Sequence, residues 1–261
     1  MSWANQPGGS GSDYGYGISA LADGSSLITG YFRGSASFGS TTLTSAGSND
    51  VFIAKLNADG SWASNSNDSL IGDNGDNTIS ALYGDDTIDS GAGNDVLYGN
   101  QGADKIIAGT GEDQLYGGQG GDTLYGNQGA DKLYGNLQDD VLYGGKDNDW
   151  QHGGQGADRL YGNMGIDEIY GGKDDDWLHG GHGNDKLWGN HGADKFCLSK
   201  GQDQVMDFKA SEGDWISMPA GTSYSLVQKG SDLLIDAALG DLLLVNISKN
   251  NFNASSSIVV G

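Results

Sequence analysis

The chain of 261 residues carries 47 Gly, about 18%, but only 2 Pro, which excludes collagen-like and proline-rich architectures and points to a backbone that turns tightly and often. Its 6 Trp, 12 Tyr and 6 Phe can bury substantial apolar area, which argues against a disordered polypeptide. Asp and Glu total 35 against 13 Lys and Arg, a formal net charge of −22; such a surface repels nucleic acid and anionic membranes and attracts cations.

The N-terminus, Met1-Ser2-Trp3-Ala4-Asn5, has no basic stretch followed by an apolar core, so a Sec-type signal peptide is not expected. Nowhere does the chain approach the ~20 consecutive apolar residues of a membrane span. Residues 1 to about 66 read as a β segment, with short strands at 27–29, 36–38 and 51–54 separated by Gly and Ser turns. Residues 3–63 resemble one SBBP-type, propeller-related repeat. The resemblance rests on Asp13-Tyr14-Gly15-Tyr16-Gly17-Ile18, Ile28-Thr29-Gly30 and Asp50-Val51-Phe52-Ile53-Ala54-Lys55-Leu56. A propeller needs several blades, so a single copy implies a fragment or a shortened form.

Residues 71–205 divide without insertion or deletion into fifteen nine-residue units, from Ile71–Ile79 to Cys197–Val205. Within each unit, positions two, three and five are mostly Gly or Asn, position seven is Asp and position nine is apolar. Residues 128–154 and 155–181 match at 19 of 27 positions, which points to duplication in three-unit blocks. In the unit 116–124, Gly117, Gly118, Gly120 and Gly121 are expected to let the backbone reach positive φ and aim its carbonyls at one point, to which Asp122 adds a carboxylate. Such converging oxygens on a flexible loop suit Ca²⁺, which takes about six to eight oxygen ligands. Asn100, Asn127, Asn136, Asn163 and Asn190 hold position three, where Asn is the non-Gly residue most at ease.

After each turn, three residues are expected to form a strand with position nine inward. If two nonamers close one coil, position seven forms two columns with an 18-residue period. One column is Asp86, Asp104, Asp122, Asp140, Asp158, Asp176 and Asp194; the other is Asn77, Asp95, Asp113, Asp131, Asp149, Asp167, Asp185 and Asp203. Coils stack at ~4.8 Å, a spacing at which bare carboxylates repel, so cations are expected in the gaps, of which there are at most 13.

Fifteen phased copies of this pattern, over just over half the chain, resemble the RTX (repeats-in-toxin) repeat, GGxGxDxUx. The resemblance implies an all-β fold built on a calcium-loaded parallel β-roll. It assigns as ligands the position-seven side chains named above together with backbone carbonyls of the turns, here those of Gly99, Gly117, Gly118, Gly120, Gly126, Gly129, Gly135, Gly144, Gly153, Gly154, Gly156, Gly162, Gly171, Gly180, Gly181 and Gly183. Several units depart from the pattern. Ala81, Leu82 and Tyr83 stand where the turn of unit 80–88 should lie, which puts its site in doubt. Leu198 and Ser199 replace glycines in the last unit, as a capping repeat would. Gln138, Asp147 and Asp174 replace the position-five Gly, and Asp tolerates positive φ better than Gln. Gln151 takes an inward apolar position and should cost stability there.

Other residues carry weaker signals. His152 and His179, and again His182 and His191, fall on opposite sides of such a roll, so no transition-metal cluster is expected. Cys197 is the single Cys, which excludes an intrachain disulfide, and it reads as structural. Position-one Tyr98, Tyr116, Tyr125, Tyr134, Tyr143, Tyr161 and Tyr170 read as a packing ladder, with a glycan-binding stripe as the alternative.

Residues 206–261 are expected to form a C-terminal β cap, with strands at 233–235 and 242–245 around the turn Ala238-Leu239-Gly240-Asp241. The stretch from Phe196 to Ile216 resembles the end of RTX arrays in secreted proteases, where the roll passes into a sandwich-like cap. The tail Asn251–Val260 resembles the uncleaved C-terminal signal read by type I secretion machinery, which would explain export without an N-terminal signal.

The whole implies a secreted, extracellular, non-enzymatic calcium-binding protein whose repeats fold on Ca²⁺ outside the cell. The alternatives are the C-terminal part of a larger secreted enzyme (protease, lipase or epimerase) and an adhesin or surface-layer component with a cell-surface or glycan partner.

Overall fold

A computed structural model of the chain describes residues 67–250 and 252–260, and within residues 1–66 only the backbone of five strands. Those five are Tyr14–Ala20, Ser26–Phe32 and Asp50–Leu56, which form an antiparallel sheet, and Ser35–Phe38 with Thr41–Thr44, a separate hairpin. They contain the three strands expected there. The side chains on which the SBBP-type resemblance rests lie outside the described residues.

From residue 67 the chain winds into a parallel β-solenoid of about eight turns. Successive nonamers alternate between two sheets, so each strand pairs with the one 18 residues away. In the first sheet Leu124 lies beside Ile106 and Leu142; in the second Leu133 lies between Leu115 and Gln151. The first sheet runs from Ser69–Ile71 through Thr87–Ala92, Lys105–Thr110, Thr123–Gln128, Val141–Lys146, Arg159–Met164, Trp177–His182, Lys195–Cys197 and Trp215–Met218 to Ile258–Val260. The second starts at Thr78–Ser80, continues through Val96–Gln101 and its successors to Gln202–Val205, and ends with three strands of the C-terminal region.

Position nine drives this winding. Its Leu, Ile and Phe residues from both sheets meet in a narrow core; Ile88, Leu97, Ile106, Leu115, Leu124, Leu133, Leu142, Leu160, Ile169, Leu178, Leu187 and Phe196 are fully buried. Burying each side chain contributes ~1.5–3 kcal/mol, and the period of nine with two units per coil keeps all of them facing inward. From Thr87–Ala92 to Lys186–His191 the strands are six residues long, where three were expected. Pairing runs from Lys105↔Thr123 to Ile107↔Tyr125, skips position two, and resumes at Gly109↔Asn127 and Thr110↔Gln128. Identical turns stacked in register let their own backbone amides join the ladder, which sequence periodicity alone does not reveal.

The solenoid also reaches beyond residues 71–205. Upstream, Asp68, Ser69 and Leu70 occupy positions seven to nine of a degenerate unit, and Ser69 pairs with Thr87. Downstream, Trp215–Met218 and Ile258–Val260 continue the first sheet in parallel, and Asp241–Leu244 continues the second. An antiparallel hairpin, Asp232–Ala237 to Asp241–Leu244 around the expected turn, and the strand Tyr224–Lys229 complete the second sheet. The C-terminal region therefore shares the roll's sheets and core, and its Phe208 ring packs between those of Phe196 and Phe252 at 6.1 and 5.8 Å. The one helix among the described residues is Ala254–Ser257, and no helix there is long and apolar enough to cross a membrane.

Candidate metal centre

The structure brings the position-seven residues into the two expected columns, and both are buried. Each is a hydrogen-bonded ladder. The backbone N–H of Asp113 donates to Oδ1 of Asp131 (2.9 Å) and that of Asp131 to Oδ1 of Asp149 (2.9 Å). The same bond recurs from Asn77 to Asp203 in this column. In the other it runs from Asp68 through Asp86 and Asp194 to Asp214, the last step spanning 20 residues. Asp68 and Asp214 are members that the sequence reading missed. Each precedes a position-eight residue and an apolar position nine (Ser69-Leu70, Trp215-Ile216), which was the available signal.

One oxygen of each carboxylate from Asp86 to Asp176 is thus satisfied. In most of them the other is not. At Asp86, Asp104, Asp113, Asp122, Asp131, Asp140, Asp149, Asp158, Asp167 and Asp176, Oδ2 is buried with no hydrogen-bond partner, an arrangement that costs ~1–3 kcal/mol or more for each charged group left so. Burial accordingly raises these carboxyls from the ordinary 3.8, against the opposing pull of the backbone N–H bond. They reach about 6 at Asp113 and Asp167, about 7 at Asp122 and Asp131, about 8 at Asp140 and Asp149 and about 9 at Asp176.

Most of the unsatisfied oxygens lie over position-two glycines. A Cβ at Gly126 would collide with Asp131 Oδ2 and with the carbonyl oxygen of Gly144 one coil on. The same pairing recurs at Gly99, Gly135, Gly153 and Gly162, where the carboxylate comes from the same unit and the carbonyl from the next coil. At Gly117, Gly144, Gly171 and Gly180 the Asp Oδ2 of the same unit fills that place, and Gly189 does the same with Asp194. Gly117 was expected to supply positive φ together with its neighbours. Instead positive φ belongs to positions three and five, as in Gly118 (125°), Gly154 (123°) and Gly181 (108°), and Gly120 (130°), Gly129 (120°), Gly156 (127°) and Gly183 (148°). Where position two is Gly, the carboxylate lies too close for a Cβ. Gly121 also lacks positive φ.

The expected departures behave differently from one another. Leu82, Gln138, Asp147 and Asp174 all adopt φ between 74° and 80°, so stacking against neighbouring coils enforces the left-handed turn whatever the residue. Ala81, Ser90, Ala108 and Leu198 put a side chain at position two, into the space beside Asp86, Asp95, Asp113 and Asp203. At the array's ends the oxygens already have partners. The Asn77 amide bonds Asp73 and Gly75 within its own turn, and Asp203 Oδ2 accepts from the Ser199 hydroxyl at 2.5 Å. Gln151 is fully buried; its Nε2 donates to the Tyr161 carbonyl at 2.8 Å while Oε1 finds no partner. Among the described residues no three His, Cys, Asp or Glu side chains converge, so a metal in these cradles would draw much of its shell from the backbone.

A family model described as the RTX calcium-binding nonapeptide repeat (4 copies) matches at residues 62–97, 90–124, 98–133, 116–151, 152–186 and 170–205, together more than half of the chain. The chain belongs to the RTX calcium-binding repeat family. The RTX match begins at residue 62, the first residue of the degenerate unit that supplies Asp68. Among solved structures, the extracellular lipase LipA of Serratia marcescens aligns at 17% identity and a TM-score of 0.34, covering 75% of this chain and 40% of the lipase. The AlgE6R3 subunit of the Azotobacter vinelandii mannuronan C5-epimerase aligns at 25% identity and a TM-score of 0.25, covering 47% of this chain and 78% of that one. The RTX chain thus spans less than half the length of the lipase. No curated protein matches it.

Proposed function

We propose that this chain is a secreted RTX protein without a catalytic centre of its own, whose repeats hold Ca²⁺ between coils and fold on meeting it outside the cell. The reading rests above all on the row of buried Oδ2 atoms without partners, which from Asp122 to Asp176 are each set over a position-two glycine. A row of interior anionic oxygens is tolerable only with a cation beside it. The donor set, carboxylate plus carbonyl oxygens, is that of a hard divalent ion with a high coordination number. Asp104, Asp122, Asp131, Asp140, Asp149, Asp158, Asp167 and Asp176 would supply carboxylates, and the glycine carbonyls of the adjoining turns the rest. Bound calcium supplies the positive charge that keeps these carboxylates ionised inside the protein. The chain's own residues fix the oxygens, through the Oδ1 ladder, and exclude water by burial.

Export follows from the same logic. A chain that stays open where calcium is scarce is suited to passage through a type I exporter, with Asn251–Val260 as the segment read. The test of binding is calorimetric titration at neutral pH with Ca²⁺ and, separately, Mg²⁺. Several calcium ions per chain with a large heat of coupled folding are expected, and no comparable heat with magnesium, which demands octahedral geometry and keeps its water. Fewer than two bound calcium ions per chain, or equal heats, would contradict the proposal. Export is tested by fusing the tail to a reporter in cells carrying a type I exporter, where secretion of the reporter is expected.

A further inference from the structure

Charge in the roll is sorted by repeat position. From residue 98 to 205 every acidic residue except Glu168 sits at position five, six or seven, in the turns. All eight Lys and Arg of residues 71–205 sit elsewhere: Lys105, Lys132, Arg159, Lys186 and Lys195 at position eight, Lys146, Lys173 and Lys200 at position four. From residue 98 to 205 the roll of this acidic protein therefore carries its cations on its sheets and nearly all its anions along the edges between them.

The first sheet shows this most clearly. Its outward rows, positions eight and one, run from Lys105 to Lys195 with no carboxylate in them. Lys105 and Arg159 are exposed and Lys195 is half-buried. Tyr125, Tyr143 and Tyr161 stack face to face at 5.0 Å. The cations are held over rings: Lys105 Nζ lies 5.8 Å from the Tyr125 centroid, the Arg159 guanidinium 6.0 Å from Trp177, and Lys195 Nζ 4.2 Å from Trp177 and 4.9 Å from Trp215. Such contacts position a cation without cancelling its charge. On the second sheet, by contrast, Lys186 is paired with Glu168 at 3.1 Å.

We propose that the outer face of the first sheet is a docking surface for a linear anionic polysaccharide lying along the roll axis. The cationic strip crosses six strands, ~24 Å at the inter-strand spacing. It is only one strand wide and is bordered on both long sides by acidic turns. A flat anionic bilayer would meet those turns, whereas a single extended chain need not. Nucleic acid is the other linear polyanion, but its bases bind single-stranded grooves by stacking on aromatic faces. Here Tyr143 is stacked on both faces, by Tyr125 and Tyr161, and Lys195 lies over the Trp177 and Trp215 rings, so most aromatic faces of the strip already have a neighbour. Sugar hydroxyls and acid groups can hydrogen-bond the tyrosine hydroxyls, and the coil repeat offers equivalent groups to successive sugar units. This surface is separate from the calcium cradles, though it rests on the roll being folded.

The experiment measures binding of dextran sulfate, neutral dextran, an oligothymidylate and phosphatidylglycerol vesicles to the full chain in calcium, by tryptophan fluorescence and calorimetry. The β signal of every sample is recorded, so failure to fold is distinguished from failure to bind. Dextran sulfate should bind and neutral dextran should not. Lys105→Gln, Arg159→Gln and Lys195→Gln together should weaken binding by roughly tenfold or more, while Lys132→Gln with Lys186→Gln should change it by less than about twofold. The proposal is overturned if folded protein ignores dextran sulfate, if both variants lose affinity equally, or if oligothymidylate or vesicles bind as tightly.

Discussion

Position two decides how much room each cradle has, because Gly there is a matter of space and not of φ. Gly126→Ala would drive a methyl against Asp131 Oδ2 and the Gly144 carbonyl without removing any ligand side chain. It should destabilise the calcium-loaded roll by ~1–3 kcal/mol and raise the calcium midpoint, read by thermal unfolding and by titration. Ala108→Gly should lower the midpoint, since it clears the space beside Asp113. An unchanged midpoint for Gly126→Ala would show that the cradle is not where the metal sits. Gln151 offers a separate check. It stands in the core file between Leu133 and Ile169 with an unpaired Oε1. Gln151→Leu should stabilise the chain by about 1 kcal/mol in a denaturant titration, and a loss of stability would mean that its bond to the Tyr161 carbonyl is worth more than the orphaned oxygen costs.

At the scale of the coil, each interior ladder residue joins three successive turns, accepting through its carboxylate from one and donating its N–H to the next. Asp131 accepts from the Asp113 N–H while its own N–H donates to Asp149; Asp203 accepts from Asp185 alone, with its second oxygen bonded to Ser199. Stability in a solenoid is set by nearest-neighbour interfaces. Asp131→Ala should therefore raise the calcium midpoint and reduce cooperativity, while Asp203→Ala should mostly loosen the C-terminal end, and equal effects would contradict the two-column arrangement.

The columns, the inward position nine and the left-handed position three were legible because a strict period exposes them. Three features were hidden. Asp214 enters its column through a turn two residues longer, which breaks the 18-residue count, and the sequence before Asp68, residues 62–67, has none of the usual glycines. The length of the strands depends on stacked turns pairing with each other, a tertiary effect with no local signature. The reason for Gly at position two is likewise a contact with a carboxylate five residues on, invisible to an argument from backbone freedom alone.

For the whole molecule, the interior carboxylates make metal-free folding depend on pH. Burial raises their folded values above the ordinary 3.8, to about 6 at Asp113 and about 9 at Asp176, so the metal-free roll binds protons that the unfolded chain has released. Its stability is then fullest below 3.8 and is lost as pH rises through about 6 to 9. Chelated protein should gain β signal on acidification and lose it toward neutrality, and a chelated chain equally folded across that window would count against buried, unpaired carboxylates. At neutral pH calcium must take the place of those protons. Circular dichroism of the full chain in excess chelator at neutral pH, followed by calcium titration, tests this most directly. The account predicts little parallel-β signal without metal and a cooperative gain at roughly 10⁻⁴–10⁻³ M Ca²⁺, the range of extracellular calcium modules; a full β spectrum in chelator, unchanged by calcium, would contradict it.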